Sequence, residues 1–223
     1  MQKIIIVGNT IYADIMYSYL KQDGHYSVEA FAVDQEYTNE NVKFDLPVVD
    51  LENLRNIYSQ EDYHVIIGVG YTNMNKNREK IFGRIKGMGY VVERYIHPDA
   101  KIFNNYDIGE GSIVLANTVV EPYAVIRANS IVWTNCTVGH HSIVEENCWI
   151  ASGTIIAGQA TIKRNCFLGV NVTVANKAVV NEFNLIGAHT IIQKNTDADA
   201  VYLSHNGEKL RYSALEYAKY FLL

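Results

Sequence analysis

The sequence predicts an α/β + β chain: a Rossmann-like parallel-sheet domain, then a parallel β-helix, then a short C-terminal helix. Three observations carry that prediction. From Ile102 every sixth residue is a branched aliphatic through Ile192, sixteen positions in one frame. Four places after most of them stands a small residue, among them Ser112, Thr118, Ala124, Cys136, Ser142 and Thr154. Ahead of this stretch, short apolar runs alternate with segments of helical spacing, the pattern of a parallel α/β unit. The change of period near residue 98 sets the expected domains at 1–97, 98–197 and 198–223.

In the first domain, Lys3 to Gly8 reads as a strand and tight turn, and Ile11 to Leu20 as a helix with Ile11, Ile15 and Tyr19 on one side. Further strands are expected over 28–33, 46–49, 63–69 and 90–96, with helices over about 51–58 and 73–86. The turn Gly8-Asn9-Thr10-Ile11-Tyr12-Ala13 has Thr10 and Ala13 where a dinucleotide fingerprint needs glycine, so an NAD or FAD site is not expected. Gly8, Asn9 and Thr10 can still offer donors at a helix N-terminus to a phosphate or sugar.

A period of six is the signature of a parallel β-helix, each hexad being one short strand and a corner. Three hexads close a triangular coil of eighteen residues, stacking like positions at about 4.8 Å. The corner place is rich in residues that tolerate positive φ: Gly111, Asn117, Asn129, Asn135, Asn147, Gly153, Asn165 and Asn171. Tyr106 and Asn184 break the small-residue rule. Cys136, Cys148 and Cys166 obey it, which makes them reduced core residues rather than a redox or metal set.

Composition narrows the partners. Charged residues are 19 % of the chain and the formal net charge is −5, which leaves no basic patch for nucleic acid. No apolar run approaches the ~18 residues of a membrane span, and Met-Gln-Lys is not the start of a signal peptide. A soluble, cytoplasmic protein is expected.

The uninterrupted hexads, with the α/β half ahead of them, resemble the hexapeptide-repeat acyltransferases with a left-handed β-helix. The order of the two halves looks like that of the nucleotide-sugar N-acetyltransferases and sialic-acid O-acetyltransferase-like proteins of bacterial glycan pathways, O-antigen and lipopolysaccharide synthesis included, and the resemblance covers nearly the whole chain. The resemblance implies left-handed coiling, a homotrimer with active sites between subunits, acetyl-CoA as co-substrate and no metal. It also implies that a nucleotide-linked amino sugar (dTDP-, UDP- or GDP-) is held by the Gly8-Asn9-Thr10 turn, by Asp34 and by Gly68, Gly70 and Tyr71. Relatives carry a histidine in that turn, which this chain lacks.

Family members place their catalytic histidine at His140, followed by an acidic residue; here His141 follows instead. Transfer from a thioester needs a base for the attacking amine and donors for the oxyanion, so the resemblance assigns His140 as base and the Gly158 N–H as donor. Orientation of His140 then falls to His141, Glu145, Glu146 or a neighbouring subunit. The coenzyme groove implied by the late coils takes in Ala157, Gly158, Ala175, Gly187 and Ala188, with Lys194 as a phosphate contact. Trp133 and Trp149 stand where relatives carry smaller residues, and face either substrate or an interface. His189 adds no metal pattern to His140 and His141, being more than two coils away. His97-Pro98 reads as a structural joint. The tail predicts a helix over 208–221 whose apolar side, Tyr212, Leu215, Tyr220 and Leu222, caps the last coil. The leading function is sugar N-acetylation; O-acetylation of a hydroxyl and a non-catalytic nucleotide-sugar-binding module are the alternatives.

Overall fold

The computed structural model describes residues 1–38, 41–103 and 107–221. The N-terminal sheet has the order β3-β4-β2-β1-β5, in which β1 (Gln2–Val7), β2 (Tyr26–Val33), β4 (Leu46–Asp50) and β5 (Tyr63–Ile67) run parallel. Helix α1 (Ile11–Asp23) ends at Gly24, whose φ of 75° closes it in the left-handed region. A 3-10 turn over Leu51–Asn53 leads into the short α2 (Leu54–Ile57), and α3 (Lys76–Gly87) follows β5. The short antiparallel β3 (Val42–Lys43) joins β4 through Phe44 and Asp45, both left-handed. That hairpin has no counterpart in the sequence reading, because neither turn residue is glycine or asparagine.

The strand expected over 90–96 divides instead. Val92 makes only a bridge to Val65, while Tyr95–Ile96 pairs with Ile113–Val114. The frame explains the division, since Ile96 lies six residues before Ile102 and the coil has already begun.

The hexads form a three-faced prism. Face one stacks Tyr95–Ile96, Ile113–Val114, Ile131–Val132, Trp149–Ile150, Phe167–Leu168, Leu185–Ile186 and Val201–Tyr202. Face two runs from Lys101–Ile102 to Ile191–Ile192, and face three from Val125–Ile126 to Val179–Val180. All pairings along the faces are parallel and in register every eighteen residues up to Ile192, for example Thr137 with Ile155 and Ile155 with Thr173. Fifteen of the sixteen aliphatic positions are buried inside the prism; Ile102, at its end, is partly buried.

The corner residue is left-handed in every hexad from Gly111 to His189. Besides the glycines and asparagines, Tyr123, His141, Gln159, Lys177, Phe183 and His189 accept this conformation. The small slot has a second role beyond fitting. Its hydroxyl or thiol donates to the carbonyl fifteen residues on, as in Ser130 to Glu145 O at 2.7 Å, Ser142 to Ala157 O at 2.8 Å and Cys166 to Asn181 O at 3.0 Å. Corner carbonyls that turn inward are thereby paired.

The two parts share a seam. The outward side chains of face one, Tyr95, Ile113, Ile131 and Trp149, join Ile4, Ile6, Tyr12, Ala13, Met16 and Phe31 in one apolar cluster. Beside it, Arg78 of α3 is fully buried against the corner between faces three and one. It donates to the carbonyls of Asn129, Asn147, Cys148 and Gly70 and to Asn75 Oδ1. Burial lowers its guanidinium to about 10.

The tail departs from expectation. Helix α4 spans only Ala214–Phe221, and Leu215 is 85 % exposed, so the described part of this helix caps nothing within the chain. The last coil is closed instead by Val201–Tyr202 pairing with Leu185–Ile186 and by Leu203 lying on Gly187. Tyr106 and Leu222, and the side chain of Tyr220, lie outside the described residues. Among the described residues no helix is long and apolar enough to cross a membrane.

Candidate functional site

The corner between faces two and three is an exposed edge built from three-residue steps. Gly139-His140-His141, Ala157-Gly158-Gln159, Ala175-Asn176-Lys177 and Gln193-Lys194-Asn195 stack there, eighteen residues apart. Gly139 must be glycine, since a Cβ there would stand 2.7 Å from Gly158 N. His140 then lies flat across the next step: a Cβ on Gly158 would be 2.5 Å from His140 Nε2 and 2.7 Å from Cε1. The imidazole thus occupies the space that the missing side chain leaves. Gln159 N donates to His140 O at 2.8 Å, which fixes the two steps relative to each other, while no acceptor for the Gly158 N–H is found among the described residues.

Around His140, the backbone N–H donates to Glu121 Oε2 at 2.7 Å, and Nδ1 lies 3.1 Å from His141 Nδ1. Of the orienting groups the sequence offered, His141 is in contact. Glu145 is engaged by Lys163 at 3.0 Å and by the Arg164 N–H, and Glu146 borders a groove with Glu79 and Arg127 on another edge. Glu121 was missed; the signal was its place nineteen residues before His140, one coil and one step back.

Ala157, Gly158, Ala175 and Lys194 share the edge of His140. Lys194 is three steps along it, about 14 Å at one strand spacing per coil. Gly187 and Ala188 do not share it within one chain. They lie on the corner between faces one and two, where Leu203 covers Gly187 and Ser204 Oγ donates to Ala188 O at 2.7 Å. The separation from Gly158 is not a multiple of eighteen, so within one chain the two sets stand on different corners. His189 sits on that same other corner.

The second candidate region lies at the C-terminal ends of β1, β2 and β5. Gly8 and Gly68 are there for packing: added Cβ atoms would stand 2.7 Å from Gly68 O and from Ala13 Cβ respectively. Thr10 Oγ1 donates to Gly68 O at 3.0 Å, and Gly70 O accepts from Arg78 at 3.1 Å. Lys43, from the unanticipated hairpin, reaches Asn9 Oδ1 and Asp14 Oδ1, each at 2.6 Å. It puts a cation beside the turn at the α1 N-terminus. Asp34 pairs with Arg84 of α3, whose other nitrogen meets Glu52 Oε1 at 2.5 Å.

Trp133 and Trp149 are not open walls. Both pack on Tyr12 across the seam, with ring centroids 5.9 and 5.2 Å away, and Trp149 is 5 % exposed. Tyr71 lies over Trp149 and Phe167 at the rim, half exposed. The Tyr12 hydroxyl and the Trp133 indole N–H are buried there with no partner among the described residues. Burial pushes the Tyr12 phenol well above its ordinary range, so it is a neutral donor.

An α/β domain seated on a prism of stacked hexads, with an imidazole laid over a glycine on an open corner, defines a hexapeptide-repeat protein. Residues 90–201, half of the chain, match the family described as GMPPB C-terminal domain, and the chain belongs to that family; residues 3–85 match the PglD N-terminal domain. The acetyltransferase domain of PglB from Neisseria gonorrhoeae FA1090 superimposes with a TM-score of 0.81 at 22% identity, covering 94% of this chain and 100% of that one. PerB from Caulobacter crescentus, in complex with CoA and GDP-perosamine, gives 0.79 at 20% identity over 91% and 94%. WeeI from Acinetobacter baumannii AYE gives 0.78 at 15% identity over 90% and 96%. At these identities the likeness is one of fold. No curated protein matches the sequence.

Proposed function

We propose that this protein is an acetyl-CoA-dependent N-acetyltransferase acting on the amino group of a nucleotide-linked deoxysugar, as a cytoplasmic homotrimer of bacterial glycan synthesis. The observation that carries the reading is the His140 imidazole lying across Gly158 on an exposed corner. The PglB domain solved with acetyl coenzyme A and PerB solved with CoA and GDP-perosamine share the fold and support it.

In this reading the sugar amine attacks the thioester carbonyl, forming the N–C bond. His140 Nε2 takes the amine proton, the Gly158 N–H steadies the oxyanion, and collapse breaks the C–S bond. The proton then passes from His140 to the departing thiolate. The coenzyme runs along the edge past Ala157 and Ala175 toward Lys194. Gly187 and Ala188 would meet it only from another subunit. The nucleotide belongs to the Gly8–Thr10 turn, Asp34 and the rim at Gly70 and Tyr71, with Lys43 facing its phosphates. Ile155 and Ile191, 47 % and 63 % exposed on face two, support association of subunits beside the edge.

The test is acetylation of a panel of dTDP-, UDP- and GDP-linked amino sugars, each paired with its hydroxy analogue. A cognate ligand at a hundred times its dissociation constant stabilises the fold by ~2.7 kcal/mol, which thermal shift detects. His140→Ala is expected to lower kcat by ~10²-fold with the fold intact. Wild-type rates in that variant, or acetylation of none of the amines, would exclude the reading.

A further inference from the structure

His140 and His141 are consecutive, yet their rings face each other because the backbone turns left-handed at His141, with φ at 60°. The two Nδ1 atoms are 3.1 Å apart and the rings stand nearly perpendicular, at 85°. A single proton fits between nitrogens at that distance, donated by one ring to the lone pair of the other. Once His140 has taken a proton on Nε2 it must carry one on Nδ1 as well, and His141 Nδ1 is the acceptor in reach.

We propose that His141 is the positioning residue of the site. Its Nδ1 lone pair holds the Nδ1–H of His140, fixes the plane of that ring and stabilises the imidazolium formed when the amine is deprotonated. The proposal rests on His140 acting as the base. Position 141 therefore serves the base through the lone pair on its Nδ1.

The surroundings leave this role to His141. The Tyr123 ring, one coil below, packs against it with centroids 4.6 Å apart and planes tilted by 33°, and the His141 N–H donates to Pro122 O at 3.3 Å. Gln159 and Lys177 follow above on the same corner, and Glu121 is engaged by the backbone N–H of His140.

The corner conformation supplies clean variants. Asparagine fills the same left-handed place at 117, 129, 135 and 147, and glycine at 111 and 153, so His141→Asn and His141→Gly should fold. Asparagine retains an acceptor close to the position of Nδ1 but does not titrate; glycine retains nothing. With ¹⁵N-histidine labelling of the unliganded protein, a coupling across the hydrogen bond between the two Nδ1 atoms is expected. With the amine that the wild type acetylates, His141→Gly should lower kcat about tenfold at unchanged KM for acetyl-CoA. His141→Asn should recover most of that loss. Absence of that coupling, equal kcat in wild type and His141→Gly, or no recovery in His141→Asn would each overturn the proposal. The spectroscopy needs no acyl transfer, so it decides the pairing even if the panel of amines yields no product.

Discussion

Gly158 has an ordinary φ and no conformational need to be glycine; what forbids a side chain is the ring lying against it. An added Cβ would meet His140 Nε2 at 2.5 Å. Gly158→Ala should therefore displace the imidazole and leave the coil alone. Steady-state kinetics is expected to give a kcat ~10- to 100-fold lower, since a misplacement near 1 Å costs on that scale, with an unchanged circular dichroism spectrum. Gly153 is the stricter case: its φ is 73° and an added Cβ would also meet Asn171 Oδ1 at 1.9 Å, so alanine there should cost stability.

At the scale of elements, the slot residues connect one coil to the next. Burial raises the thiols, Cys136 to about 11 and Cys166 to about 12, with Cys148 also well above its usual value. The folded state therefore keeps protons that the unfolded chain gives up. Stability from this source is complete below the ordinary thiol value of about 8.5 and is lost as pH rises from there through 11 and 12. Urea midpoints between pH 8 and 11 should fall accordingly, and a thiol reagent at pH 8 should label no cysteine until the protein is unfolded. The tail stands at the other extreme. Because its described side chains from Leu203 to Lys219 are exposed, removal of residues 208–223 is expected to leave Tm within about 2 °C. A drop of 10 °C in a truncated chain would mean that α4 (Ala214–Phe221) supports the fold after all.

For the molecule as a whole, the seam decides whether the two parts behave as one. The shared cluster and the buried Arg78 argue for a single unfolding transition, although the chain was read as separate domains. Arg78→Met leaves four carbonyls and one amide oxygen without their donor in a dry site. It should cost ~3–5 kcal/mol and split the calorimetric transition in two, whereas a single unshifted peak would assign the union to the apolar contacts alone. The coil was legible from its sequence because its rule is strictly periodic: Ile102 to Ile192 report burial by position alone. The seam was not, since nothing in the spacing of Trp133 and Trp149 says which face the first domain covers. Arg78 looked like one more charge on a helix, and Lys43 sits in a hairpin whose turn, Phe44-Asp45, carries none of the usual signals. Of the candidate site, His140 came from the resemblance and Gly158 from its place eighteen residues further on, whereas spacing within one chain says nothing of a groove that Gly187 and Ala188 would line from another subunit.

The prism also constrains how such a chain can change length. Loss of one residue beyond His140 would carry Ala175 and Lys194 off its corner, whereas removal of a whole turn would only shorten the ladder by a rung and return every later side chain to its own column. Insertions and deletions within the stacked hexads therefore keep every column only in quanta of eighteen, and the reach from the His140 imidazole to Lys194 changes by whole turns.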